Sequence, residues 1–165
     1  MSIQIYVDGA CNKHTGNEAW GTVLLLAPEG MYIDLLDEID KTGLDFKFVK
    51  LPRNPYERTV LISKFDDVTS QQNNGAELLA MLGALIFSTS QPTTVQSRII
   101  IHSDSQLIVD YWSKGLVNKK TAAKMDKRKR EVIDRCAQLR AIFERNKGQI
   151  RKISGDDNPA DLGYH

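Results

Sequence analysis

Two short runs of apolar, mostly β-branched residues constrain the fold of this chain most strongly, because each run leads to an aspartate. Residues 3–7 alternate between apolar and other side chains, which is the period of a half-buried strand, and they are followed by Asp8. Residues 98–102 contain three consecutive isoleucines, as expected of a central strand covered on both faces, and lead to Asp104. Ligands gather at strand ends in such sheets, so the two carboxylates are candidates for one site.

The remaining periodicity predicts the elements around these two strands. Residues 28–58 carry many charges and are punctuated by Pro and Gly, which indicates an irregular insertion within a single domain of residues 1–165. The element order is typical of an α/β domain with a mixed five-stranded sheet and helices on both faces. The predicted strands are 3–7, 20–27, 59–65, 98–102 and 149–153, and the predicted helices are 77–87, about 105–112, and a long helix through Met125, Val132, Cys136, Leu139 and Phe143.

The composition limits the class of protein. At 165 residues, 18.6 kDa and 41% hydrophobic content, the chain suits one domain with one core, and its net charge of +1 neither requires nor excludes nucleic acid. No apolar run approaches the roughly 18 residues of a membrane helix, and the start lacks the pattern of a signal peptide. We therefore expect a soluble, cytoplasmic protein with no membrane contact. Cys11 and Cys136 match no zinc spacing and suit a reducing compartment, although a disulfide is not excluded.

Clustered carboxylates at one sheet would repel each other unless a cation or a proton lay between them. The sequence has no His or Cys cluster, and all-oxygen ligation favours magnesium or manganese over zinc. Two-metal phosphodiester cleavage needs several such carboxylates from different chain segments. Simpler explanations exist, because a single strand-end aspartate more often caps a loop or helix. Glu77 also follows Asn74 at the spacing of a helix N-cap with a reciprocating glutamate.

A basic stretch spans residues 119–130. Such a stretch is more often a solvated helix face than a binding surface, and the nearby Trp112 is more often a core residue than a base-stacking platform. The stretch contains Lys119, Lys120, Lys124, Lys127, Arg128, Lys129 and Arg130.

Four short motifs, in this order along the chain, resemble those of the type 1 ribonuclease H family. They are Asp-Gly-Ala-Cys at 8–11, Asn-Asn-Gly-Ala-Glu-Leu-Leu-Ala at 73–80, Ser-Asp-Ser-Gln at 103–106 and Asn-Pro-Ala-Asp at 158–161. The resemblance spans nearly the whole chain. It implies the ribonuclease H-like fold and an endonuclease, active as a monomer, that cuts the RNA strand of RNA/DNA hybrids and leaves a 5′-phosphate and a 3′-hydroxyl.

The resemblance also implies roles for individual residues. Four carboxylates would bind two Mg²⁺ ions, with Mn²⁺ as a possible substitute: Asp8, Glu77, Asp104 and Asp161. Asp8 would bridge both ions and Asp161 would help hold the ion that activates the attacking water. Glu77 and Asp104 would hold the ion near the leaving 3′ oxygen.

Substrate contacts are implied at two places. Residues that match family positions reading the minor groove, where ribose 2′-hydroxyls distinguish RNA, are Asn12, Asn73, Asn74 and Gln106. Asn158 in the fourth motif is grouped with them as a substrate contact. The basic stretch lies where many members contact the DNA strand, which implicates Lys119, Lys120, Lys124, Lys127 and Arg128.

The sequence departs from the family pattern in the loop before Asp161. Family members commonly carry a histidine there, whereas residues 154–157 read Ser-Gly-Asp-Asp. The ending resembles that of some retroelement ribonuclease H domains, so we expect activity without the loop histidine. Two other hypotheses stay open: a related nuclease such as a junction resolvase, which would share the carboxylates but not the asparagine pair, and an inactive module that only binds nucleic acid or protein.

Overall fold

A six-stranded mixed sheet forms the centre of the molecule, with the strand order β3-β4-β2-β1-β5-β6. The computed structural model describes residues 2–12, 18–26, 46–49, 57–65, 72–125 and 127–160. The strands are β1 (Ile3–Asn12), β2 (Glu18–Leu26), β3 (Phe46–Val49), β4 (Glu57–Phe65), β5 (Ile99–Ser103) and β6 (Gln149–Lys152).

The prediction of five strands was wrong, because β3 lies inside the segment expected to be an irregular insertion. Phe46–Val49 alternates aromatic or β-branched residues with a lysine, which suits an edge strand, and it pairs antiparallel with β4. A strand of four residues among many charges and prolines is too short to be recognised from its sequence pattern. The other described part of the insertion, Glu57 and Arg58, belongs to β4, which begins two residues before the predicted strand.

The two strands that carry the aspartates lie side by side. β1 pairs antiparallel with β2 and parallel with β5, which in turn pairs parallel with β6. Residues of β1 and β5 are partners from Ile3 and Ile99 to Val7 and Ser103. The residues that directly follow the last pair therefore lie at the same edge of the parallel part of the sheet.

Five α-helices are described. They are α1 (Gln72–Thr89), α2 (Thr93–Gln96), α3 (Gln106–Asp110), α4 (Lys119–Lys124) and α5 (Lys127–Arg145), with 3-10 turns at Trp112–Lys114 and Gly155–Asp157. The predicted long helix is confirmed as α5, although Met125 lies just before it and the basic stretch divides into two helices, α4 and α5.

The hydrophobic core lies between one face of the sheet and α1, with α5 packed on α1. Ile5 and Val7 of β1 are fully buried against it, as are Leu78 and Phe87 of α1. Alternation places Gln4 on the opposite face of β1, where it is half-buried. The prediction of helices on both faces is not confirmed, since the described helices with extensive sheet contacts share this one core.

Two sequence expectations concern single residues of the core. Trp112 is buried in it, as predicted. Cys136 is a free, fully buried thiol, and burial raises its pKa well above the ordinary value. None of the helices described is both long and apolar enough to cross a membrane.

Candidate metal centre

Asp8 and Asp104 lie next to each other because β1 and β5 run parallel. Each directly follows the last parallel pair, Val7 with Ser103. Asp8 was expected at the end of its strand, but β1 continues to Asn12 through its pairing with β2. Asp8 is therefore preceded and followed by residues of the same strand. Asp104 instead lies in the bend before α3, whose N-cap is Ser105.

Glu77 is brought to the same place by α1. The helix begins at Gln72, five residues earlier than predicted, so Glu77 lies inside it rather than at its start. The alternative explanation of Asn74 and Glu77 as a helix cap is therefore wrong, because both residues are within the helix. Glu77 is 5% exposed and points toward the sheet.

Gly9 allows this approach. A Cβ atom at Gly9 would lie 2.8 Å from Cγ of Glu77 and 2.9 Å from the carbonyl carbon of Ala76. Real Cβ atoms essentially never come this close, so any side chain would push α1 away from β1. The backbone N–H of Gly9 also donates to the Glu77 carboxylate. Gly9 thus sets the distance between the helix and the strand that carry two of the carboxylates.

Oxygens of Asp8, Glu77 and Asp104 all lie within 4.8 Å of one another. Asp8 and Glu77 share a side-chain hydrogen bond, which requires a proton between the two carboxyl groups. Burial, then the charges of Asp8 and Asp104, raise the pKa of Glu77 to about 10. Three acidic groups packed so closely cannot all be ionised without a compensating positive charge.

The donor set fits a hard divalent cation. It consists of carboxylate oxygens from three separate chain segments, which is the ligand type that Mg²⁺ and Mn²⁺ prefer. One oxygen of Glu77, Oε2, is buried and has no hydrogen-bond partner. A buried oxygen without a partner is costly and a ligand would satisfy it. The three residues could therefore hold a metal ion, and ordinary helix or loop capping does not explain them.

The loop after β6 packs against this cluster. Gly155 lies beside Asp104, since a Cβ atom placed there would be 3.4 Å from Oδ2 of that carboxylate. Asn158 is buried and its amide donates to the carbonyl of Val7 at 2.9 Å and toward Oδ2 of Asp104 at 3.4 Å. Asp161, the fourth predicted carboxylate, lies outside the described residues.

The predicted minor-groove contacts have different surroundings. Gln106 is the exposed first residue of α3, two residues after Asp104, and Asn74 is half-buried in the first turns of α1. Asn12 ends β1 and Asn73 is the second residue of α1, and only their backbones are described. These placements leave their predicted role in substrate binding untested.

The basic stretch is exposed for the most part. Lys119, Lys120 and Lys124 on α4 are exposed, and Lys127 at the start of α5 pairs with Glu131 at 3.9 Å. Lys129 differs, because it is 2% exposed. It therefore belongs to the packed side of the helix and not to a solvated face. The side chain of Arg128 is outside the described part.

Comparisons with known proteins locate this arrangement among solved folds. No protein-family model matches the sequence, and no curated protein matches it. A crystal structure of RNase H1 from the halophilic archaeon Halobacterium salinarum is similar, with a TM-score of 0.55 and 18% identity over 99% of this chain and 94% of that one. The N-terminal RNase H domain of a Mycobacterium tuberculosis protein, solved as a maltose-binding protein fusion, is similar with a TM-score of 0.53 and 14% identity, covering 99% and 95%. This chain has the ribonuclease H-like fold.

The ribonuclease H-like fold confirms the predicted fold class, except for the number of strands and the second helical face. Sequence reasoning missed the part that Gly9 plays in the candidate centre. A glycine directly after a strand aspartate indicates a close backbone approach, and that signal could have identified it. Asn158 was predicted as a substrate contact, and no local pattern reveals its contacts with residues distant in the sequence.

Proposed function

We propose that this protein is a ribonuclease H, an endonuclease that hydrolyses the RNA strand of RNA/DNA hybrids. The observation that carries the proposal is the cluster of Asp8, Glu77 and Asp104 at the end of the parallel strands, in which Asp8 and Glu77 are buried. The ribonuclease H-like fold of the whole described chain supports it. So does the resemblance of the four sequence motifs, which includes Asp161 as a fourth carboxylate.

Within this proposal the cluster binds Mg²⁺, as two ions with Asp161 completing the ligand set. A bound divalent cation would polarise the scissile phosphate and lower the pKa of an attacking water. Asp8 and Glu77 are held on β1 and α1 by the close contact at Gly9, so their oxygens are oriented before substrate binds. Burial keeps water from screening the carboxylate charges, which strengthens their attraction for a cation. The expected products are a 5′-phosphate and a 3′-hydroxyl.

The hybrid would lie across the edge of the sheet that carries the cluster. Gln106 is exposed two residues from Asp104 and offers an amide to the minor groove, where 2′-hydroxyls identify the RNA strand. The exposed lysines of α4 and Lys127 would contact the phosphates of the DNA strand and make binding dependent on salt.

An inactive nucleic-acid-binding module is the alternative that the cluster argues against. Burial of Glu77 beside Asp8 and Asp104 raises its pKa to about 10 and costs folding free energy, and a protein that only binds nucleic acid gains nothing from this arrangement. A related nuclease such as a junction resolvase would share the carboxylates, so the substrate decides between that activity and ribonuclease H.

The test is a cleavage assay with end-labelled RNA/DNA hybrid, duplex RNA, duplex DNA and a four-way junction, in Mg²⁺, Mn²⁺ or EDTA. We expect cleavage of RNA in the hybrid alone and only with a divalent cation. Asp8→Asn and Asp104→Asn should abolish it, whereas Asp134→Asn on the exposed part of α5 should not. Asp161→Asn tests the fourth ligand in the same assay.

Three results would contradict the proposal. Hybrid binding without cleavage in either metal would indicate the binding module. Preferential cutting of the junction would indicate the resolvase. Cleavage by Asp8→Asn at the parent rate would show that the carboxylate cluster does not take part in the reaction.

A further inference from the structure

Asn158 lies outside the carboxylate cluster and contacts it through a buried side chain. It follows the 3-10 turn Gly155–Asp157 and is 5% exposed. Its Nδ2 group donates to the carbonyl of Val7 at 2.9 Å and lies 3.4 Å from Oδ2 of Asp104. Its Oδ1 accepts the N–H of Ala160 at 3.1 Å.

The amide donors and the amide oxygen of Asn158 all face partners within the protein. A primary amide has two N–H donors, and those of Asn158 face the Val7 carbonyl and the Asp104 carboxylate. The carbonyl oxygen of the amide is occupied by a backbone N–H two residues later. A buried amide satisfied in this way has no free donor to offer a ribose hydroxyl.

The three partners of Asn158 lie in segments that carry the proposed metal ligands. Val7 directly precedes Asp8 and is 151 residues away from Asn158 in the sequence. Asp104 is itself a member of the cluster. Ala160 is the last described residue and directly precedes Asp161 in the sequence. A single side chain therefore joins the β1 segment, the end of β5 and the loop after β6.

We infer that Asn158 is a positioning residue of the metal centre and not a substrate contact. It fixes the carboxylate of Asp104 relative to β1 and anchors the loop that leads to Asp161. Asp104 needs such a partner because it is half-buried and follows a bend, whereas Asp8 lies within a paired strand. Outer partners of this kind orient metal-binding carboxylates and strengthen metal binding. The inference rests on the proposed function, since it assumes that the cluster binds a divalent cation.

Two variants test the inference. Asn158→Ala removes all three contacts. Asn158→Asp has the same shape and keeps the acceptor for Ala160, but it replaces the donor with an oxygen that faces the Val7 carbonyl and the Asp104 carboxylate. The aspartate variant provides the same comparison if the alanine variant does not fold. Circular dichroism and thermal melting establish that each variant is folded.

The matched control is Gln96→Ala. Gln96 is another buried side-chain amide, 3% exposed, which donates to the carbonyls of Thr89 and Gln91 and accepts from Asn146. Its partners lie at the last residue of α1, in the turn after it and after the end of α5, far along α1 from the turn that carries Glu77. Its loss should therefore lower stability without changing the metal centre.

Two affinities are measured for each protein. Mn²⁺ binding is followed through the electron paramagnetic resonance signal of free Mn²⁺, and hybrid binding in EDTA is followed by fluorescence anisotropy. We expect both Asn158 variants to bind Mn²⁺ roughly 10- to 100-fold more weakly, the range typical of outer partners of metal ligands. Their affinity for the hybrid in EDTA should equal that of the parent, and Gln96→Ala should change neither affinity.

The results that would contradict the inference can be distinguished from a failure of the proposed function. Weaker hybrid binding in EDTA with unchanged Mn²⁺ affinity would make Asn158 a substrate contact and overturn the inference alone. Unchanged values for both affinities would overturn it as well. If the parent protein itself binds no Mn²⁺, the proposed function fails and the inference fails with it.

Discussion

Glu77→Gln should make the metal-free protein more stable at neutral pH. The substitution preserves the shape of the side chain and removes a carboxyl group whose pKa is about 10 in the fold, compared with 4.5 as the ordinary value. The folded state therefore keeps the Glu77 proton over a range of pH in which the unfolded chain has lost it. Stability from this group is fully present below about pH 4.5 and declines as the pH rises toward 10.

The size of the effect follows from proton linkage. Between the two pKa values, unfolding releases one proton, so the free energy of unfolding falls by about 1.4 kcal/mol per pH unit. From pH 4.5 to pH 7 this amounts to about 3 kcal/mol in the parent protein. Glutamine has the same shape as glutamate and cannot ionise, so the variant lacks the pH dependence that Glu77 gives the parent protein. The advantage of the variant over the parent should therefore grow by about 3 kcal/mol across this interval.

The assay is urea unfolding in EDTA at several pH values, with the difference between variant and parent taken at each pH. That difference cancels the titration of other groups, such as His102, whose pKa is lowered by burial and by Arg151. Glu131→Gln, at an exposed position on α5, is the control and should follow the parent. A Glu77→Gln variant that is less stable than the parent at pH 7, or whose advantage does not change with pH, would refute the reasoning.

Three further variants, one of them a double substitution, test other parts of the structure. Gly9→Ala should cost about 1–3 kcal/mol of stability, as overpacking does, and weaken Mn²⁺ binding by displacing Glu77; thermal melting and Mn²⁺ titration check this, and parent-like Mn²⁺ affinity would contradict it. Replacing Lys119 and Lys120 with Glu should weaken hybrid binding and lower its salt dependence, measured by anisotropy at several salt concentrations, and an unchanged slope would exclude these lysines from the interface. Arg140→Met removes a buried guanidinium that donates to a backbone carbonyl and a buried hydroxyl, so urea unfolding should show a loss of about 2 kcal/mol with cleavage at saturating hybrid retained; full stability would contradict the structural role.

The features that could be predicted from sequence are those set by local pattern. The β-branched runs before Asp8 and Asp104 identify β1 and β5, and parallel pairing then places the two carboxylates together. The helix that carries Glu77 follows from its Ala, Leu and Met content, but its start at Gln72 does not, because the asparagine at 74 imitates a cap.

The features that could not be predicted depend on contacts between distant segments. β3 is four residues long and exists as a strand through its pairing with β4. Lys129 belongs to a basic stretch by sequence, yet the rotation of α5 buries it. The bond from Asn158 to the carbonyl of Val7 spans 151 residues, and no pattern near either residue indicates it. Tertiary packing decides each of these cases.

Crystallography with Mn²⁺ and anomalous scattering tests the central claim most directly, since it locates the cation without reference to activity. The account expects an anomalous peak bound by oxygens of Asp8, Glu77 and Asp104, at the roughly 2.0–2.6 Å typical of hard cations with oxygen ligands. No peak at this cluster at saturating Mn²⁺, with Glu77 still hydrogen-bonded to Asp8, would contradict it.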